Sequence, residues 1–185
     1  MREDKMKNKF LLVTVFLGVG FFIFLPVFMI TGNPTLEAIT ISFGVTLYHF
    51  VMRLLVGALL KGIMKNKADH TRIWFRERRY EKGLYRRMRV QRWQKYIPTF
   101  DPDTFDTRKR TVKEILGATC QAEICHEVFM LLGLLPIASI PLLGGAAAMV
   151  ITSVLAMLTE LPFVVVQRYN RPRFVRVMGR FEKIK

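Results

Sequence analysis

Lysine and arginine are missing where a soluble protein would have them. The stretches "TGNPT" (31–35) and "PIASIPL" (136–142) hold no basic residue, and "FLLVTVFLGVGFFIFLPVFMI" (10–30) holds no charge of either sign. Cysteine is scarce as well. Cys120 and Cys125 are the only two, and both lie in an apolar block. That excludes a disulfide framework and a cysteine-ligated zinc site, and leaves them as small packing residues. Acidic residues are few, 14 against 29 lysines and arginines, for a formal charge of +15. No internal repeat or low-complexity tract interrupts the chain.

What is present is apolar and basic in separate blocks. The 185 residues are 51% hydrophobic, an unusual partner for so high a charge unless the two kinds of residue are segregated. They are. Apolar blocks at about 10–30, 36–60, 115–135 and 143–167 each reach the ~20 residues that a helix needs to cross the hydrocarbon core. Backbone groups in lipid must be satisfied within the segment, so helices are expected. The fold expected is all-α: a single membrane domain, an integral membrane four-helix bundle, with a basic interfacial helical segment between helices two and three. The first block is too long for a signal-peptide core and is followed by no small-residue cleavage site, so it reads as a retained helix.

The basic residues set the orientation. They fill 1–9, the segment 61–114 and the tail 168–185, and they are absent from the other two connections. Four crossings place every basic block on one side, the cytoplasm, with both termini there, in a multi-pass protein of the cell membrane. Residues 61–99 carry thirteen basic against three acidic residues, interleaved with Trp74, Phe75, Tyr80, Tyr85, Trp93 and Tyr96. Tryptophan, tyrosine and arginine suit the headgroup region, so short interfacial helices are expected. The segment is tethered to membrane on both sides and has no recognised nucleic-acid motif, so lipid, not nucleic acid, is the expected partner. "YIPTFDPDTFDT" reads as a turn-rich loop, in which Asp101, Asp103 and Asp106 suit turns.

Ionisable residues at membrane depth are costly, and each is a functional candidate. Helix two holds His49 and Arg53, helix three Glu123, His126 and Glu127, helix four Glu160. At ~1.5 Å per residue they fall at similar depth in the cytoplasmic half of the bilayer. Glu123, His126 and Glu127 stand at i, i+3 and i+4, on one face. A histidine beside carboxylates, with its ring orientation fixed, is what a general base needs. The competing reading is an intramembrane polar network of His49, Arg53, Glu127 and Glu160, with Arg53 paired to Glu127 or Glu160. A third reading is a metal held by Glu123, His126 and Glu160. Glu-x-x-His occurs once, whereas di-iron bundles need it on two helices, so no metal is expected.

Three motifs carry a family resemblance. "LPFVVVQRYNRPR" (161–173), "AEICH" (122–126) and "RVQRWQKYIP" (89–98) resemble the signatures of the glycosyl-diaponeurosporenoate acyltransferases, over about Phe75 to Arg173. Known members esterify a sugar hydroxyl of a membrane-bound glycosylated carotenoid with a fatty acyl group. The resemblance implies acyl transfer at the cytoplasmic face, with a membrane lipid as acceptor and acyl-CoA or an acyl carrier as donor, and it calls for no cofactor. His126 with Glu123 supplies the base. Arg168, Asn170, Arg171 and Arg173, with Trp93 and Lys95, are the substrate-binding candidates. Pro172 disfavours helix at Arg171, so the chain is expected to turn there and hold these arginines at the rim. Helices one and two match only as apolar segments, so His49 and Arg53 rest on their own chemistry. A non-enzymatic membrane protein that binds anionic lipid or a partner protein remains the alternative.

Overall fold

The computed structural model describes residues 2–98 and 102–182. Helices account for its regular structure, and no strand occurs among the described residues. They are α1 (Arg2–Thr31), α2 (Pro34–Met64), α3 (Glu81–Arg87), α4 (Val90–Trp93), α5 (Val112–Leu132), α6 (Leu135–Ala138), α7 (Ile140–Leu143) and α8 (Ala146–Glu182). Four spans are long and apolar enough to cross a membrane: Lys7–Thr31, Pro34–Met64, Val112–Leu143 and Ala146–Arg180. Each overlaps one of the four apolar blocks of the sequence and extends beyond it. The basic segment between the second and third spans forms the short helices α3 and α4, with 3-10 turns at Ile73–Phe75, Gln94–Tyr96 and Pro102–Phe105. Asp101 of the aspartate-containing loop and the last three residues of the basic tail lie outside the described residues. Asp106 acts as a turn residue, its carboxylate accepting the Arg108 N–H at 2.9 Å, and Asp103 pairs with Lys109 at 2.7 Å.

Local chemistry explains the helix ends. Asn33 accepts the Thr35 N–H at 2.8 Å, and Pro34 follows as the first residue of α2, where a missing N–H costs nothing. Thr111 and Glu114 form a capping box at the start of α5: the Thr111 N–H donates to Glu114 at 2.8 Å and the Glu114 N–H to the Thr111 hydroxyl at 3.3 Å, which satisfies two orphan donors. Gly144 and Gly145 adopt left-handed φ of 68° and 63° just before α8, a conformation that glycine takes without strain.

The chain divides into two compact units, the first Met1–Val56 with Phe129–Thr159, the second Gly57–Val128 with Glu160–Lys185. In the first unit α1 and α2 meet through small residues. Gly20 lies against the Phe43 ring and Gly44 against Phe21, so closely that neither position has room for a Cβ. This is the usual way for apolar helices to approach in lipid. The Tyr48 hydroxyl donates to the Leu132 carbonyl at 2.8 Å, where α5 ends.

The second unit has a core of Val90, Ile115, Leu116 and Cys120, all with no solvent exposure. Lys65 and Asn66 end α2 in left-handed conformation. The Asn66 N–H donates to Gln121 at 2.7 Å, and its carbonyl rests on Gly117, where a Cβ would not fit. Within the basic segment the structure buries Phe75, Glu81, Tyr85 and Val90, so one face of it packs inward while its arginines point out.

α8 corrects one expectation. The chain does not turn at Arg171; the helix continues through Pro162 and Pro172 to Glu182. Pro172 removes an N–H and disfavours helix at the preceding residue. Arg168 and Arg171, however, lie one helical turn apart and both pair with the buried Glu123, and a continued helix presents both to that carboxylate.

Candidate functional site

Three elements of the second unit bring charged side chains together. α5 contributes Glu123, His126 and Glu127, α8 contributes Glu160, Arg168 and Arg171, and α3 contributes Glu81. Glu123 has no solvent exposure, and Glu81 and Arg171 are nearly as buried.

Glu123 sits between two arginines. One carboxylate oxygen accepts from Arg168 at 2.6 Å, and the other accepts from Arg171. Arg168 also forks onto Glu81, with Nε at 3.0 Å and NH2 at 2.7 Å, and reaches the Trp74 carbonyl at 3.2 Å. Arg171 donates to the carbonyls of Phe75 at 3.2 Å and Thr119 at 3.3 Å, and its guanidinium lies 4.9 Å from the centre of the Phe75 ring. Two carboxylates and two guanidiniums therefore form an alternating quartet without net charge. Burying such charges is tolerable because each is paired, with Arg171 Nε alone of the quartet's buried nitrogens left without a hydrogen-bond partner among the described residues. Tyr85 is buried one turn from Glu81 on α3. Burial and the Glu81 charge push its hydroxyl up to about 12, so it remains a neutral phenol.

One turn along α5 a second pair forms. His126 Nδ1 lies 2.6 Å from Glu160, which is nearly buried. The ring stacks on Phe163 with centroids 4.6 Å apart and planes 15° apart. A neutral imidazole whose single N–H is at Nδ1, donated to Glu160, presents a lone pair at Nε2. The geometry is that of a base oriented by a carboxylate.

The sequence candidates thus sort into groups. Glu123, His126, Glu160, Arg168 and Arg171 are brought together in pairs and a quartet. The carboxylate on His126 is Glu160, reached across 34 residues, and not Glu123, its neighbour in the Glu-x-x-His spacing. Glu127 accepts the Trp74 indole N–H at 3.0 Å. Arg173 stacks over the Tyr169 ring at 3.8 Å and lies 3.5 Å from Asn170, so neither joins the quartet. Trp93 donates to the Met88 carbonyl at 3.0 Å, and Lys95 lies 5.0 Å from the centre of the Tyr96 ring. His49 and Arg53 belong to the first unit. His49 is buried, and neither of its ring nitrogens has a hydrogen-bond partner among the described residues. Among the described residues no three histidine, cysteine or acidic side chains converge as metal ligands.

Sequence reasoning missed Glu81, Trp74 and Thr119. Glu81 left one signal, as one of only three acids in the basic segment. Trp74 was visible only as one aromatic of the interfacial segment, not as a partner of Glu127, and Thr119 left no signal, since it acts through a backbone carbonyl that any residue supplies.

Nothing among the curated proteins or the solved structures matches the chain. The sequence model of one family, described as glycosyl-4,4'-diaponeurosporenoate acyltransferase, matches residues 71–180. The match spans more than half of the chain and contains the whole quartet and the His126–Glu160 pair. On that match, this chain belongs to the glycosyl-4,4'-diaponeurosporenoate acyltransferase family.

Proposed function

We propose that the chain is a multi-pass membrane O-acyltransferase with both termini cytoplasmic. It moves a fatty acyl group from a cytoplasmic thioester donor to a sugar hydroxyl of a carotenoid glycoside held in the membrane. The family description supports the acceptor class. The observation that carries the chemistry is the His126–Glu160 pair at 2.6 Å.

His126 Nε2 takes the proton of the acceptor hydroxyl while its oxygen attacks the thioester carbonyl carbon. A C–O bond forms and the carbonyl electrons move onto oxygen. When the tetrahedral intermediate collapses, the C–S bond breaks, and the thiolate leaves with the proton returned by His126. Glu160 holds the ring and offsets the charge of the imidazolium in between.

Arg168 and Arg171 are spent on Glu123 and Glu81. Their role in this reading is to lock α8 to α5 and α3, which fixes Glu160 against His126; they are positioning residues. Asn170, Arg173, Trp93 and Lys95 are assigned to substrate contact, and His49 and Arg53 to the polar interior of the first unit. The test is expression of the chain in cells that make a glycosylated carotenoid, with lipid esters measured by mass spectrometry. An acyl ester that appears with the chain and is lost with His126→Asn at equal abundance supports enzymatic transfer. An unchanged lipid profile supports the non-enzymatic alternative, a membrane protein that binds anionic lipid or a partner.

A further inference from the structure

The second unit has a basic cavity that the proposed chemistry does not use. It has a volume of about 500 Å³ and is lined by Arg79, Lys82, Arg86, Arg89 and Arg92. None of these five side chains makes an ion pair or hydrogen bond among the described residues. The nearest acid on the same helix, Glu81, is buried and committed to Arg168.

The chain folds so as to gather these charges. On α3, Glu81 and Tyr85 lie one turn apart and are buried, which turns Lys82 and Arg86 outward. Arg89 then takes a left-handed conformation, φ 52° and ψ 38°, and redirects the chain so that Arg92 of α4 borders the same cavity. Left-handed backbone is disfavoured for arginine, and such strain collects at ligand clamps. Tyr85 and Tyr169 also line the cavity. Their rings meet edge to face at 5.9 Å, with the Arg173 guanidinium on the Tyr169 ring.

Five cations crowded around one concavity with no acid in its lining among the described residues repel one another unless an anion sits among them. The volume falls in the range of small-molecule sites. A lone lipid phosphodiester brings one charge and no ring, and it meets basic side chains on a flat surface. A nucleotide with several phosphates brings charges to match the five cations and a base to lie against tyrosine. Resting on the acyltransferase reading, we infer that this cavity binds the phosphates and nucleotide of a coenzyme-A-type acyl donor.

The test is binding of coenzyme A to the full-length protein in nanodiscs of phosphatidylcholine, followed by calorimetry. Wild type binds, and dephospho-coenzyme A binds more weakly. Arg86→Ala and Arg89→Gly each weaken binding roughly tenfold, the worth of one charge-assisted hydrogen bond. Glycine at 89 accepts the left-handed backbone, so that variant loses the guanidinium without straining the fold. Arg87→Ala, on α3 but outside the cavity lining, binds as wild type. His126→Asn also binds as wild type, so loss of transfer with intact binding bears on the catalytic reading alone. Absence of coenzyme A binding by wild type overturns the inference. Equal binding by wild type, Arg86→Ala and Arg89→Gly overturns it too. In nanodiscs with added phosphatidylglycerol, displacement of coenzyme A by the lipid places a headgroup in the cavity and overturns the nucleotide assignment.

Discussion

Glu123 and Arg171 are joined where solvent reaches neither, at 0% and 2% exposure. The pair spans 48 residues of sequence and ties α5 to α8. Removing one partner of such a pair strands the other as an uncompensated buried charge, which costs about 3–5 kcal/mol.

Arg171→Lys is therefore expected to destabilise the second unit. A lysine has no planar fork, and it cannot serve Glu123 together with the carbonyls of Phe75 and Thr119. Thermal unfolding in detergent should fall well below wild type. Arg173→Lys, whose side chain stands on Tyr169 outside the quartet, should unfold as wild type does. Equal unfolding temperatures for Arg171→Lys and Arg173→Lys would show that the quartet holds nothing together.

Pro172→Ala distinguishes the continued helix from a turn. An internal proline costs a helix ~3 kcal/mol, so alanine should stabilise α8 and leave acyl transfer intact. A loss of transfer with Pro172→Ala would contradict the continued helix and favour a turn at Arg171.

Gly117→Val should weaken the same unit by about 1–3 kcal/mol through overpacking, because the Asn66 carbonyl occupies the space that a Cβ requires. Protease protection of residues 57–128 is the readout. The prediction fails if Gly117→Val is protected as fully as wild type while Gly62→Val, at a position open to solvent or lipid, is not.

The four spans were legible in the sequence because hydropathy over ~20 residues is a local property. The basic connection was legible for the same reason. The path of α8 was not. The rule for the residue before proline is local, and it loses to carboxylates 48 and 87 residues away that hold Arg171 and Arg168. The candidates His126 and Glu160 were both visible as costly intramembrane charges at matching depth, which sets them facing one another; which acid holds the imidazole was not visible. Spacing along α5 pointed to Glu123, and only the packing of α8 decides between the two acids. In the sequence Glu81 is only one of three acids among thirteen basic residues, and its burial becomes visible only once α3 is folded against Arg168.

The orientation has its own test. Single cysteines placed at Asn33 and at Arg87, both exposed, should be labelled by an impermeant thiol reagent from opposite faces, position 33 from outside and position 87 only after the cytoplasmic face is opened. Native Cys120 and Cys125 should be removed first. Labelling of position 87 in intact cells would reverse the topology drawn from the arginine distribution.

In the proposed reaction His126, oriented by Glu160, activates the acceptor hydroxyl. The most direct measurement is the rate of acyl transfer by purified, reconstituted protein with His126→Asn and Glu160→Gln, at matched amounts and with unfolding temperatures recorded. Loss of a general base lowers such rates by roughly 10²–10⁴-fold. His126→Asn should show a loss of that size in kcat, and Glu160→Gln a smaller one, since glutamine still accepts a hydrogen bond at Nδ1 but offsets no charge. Transfer by folded His126→Asn at the wild-type rate would show that His126 is not the base.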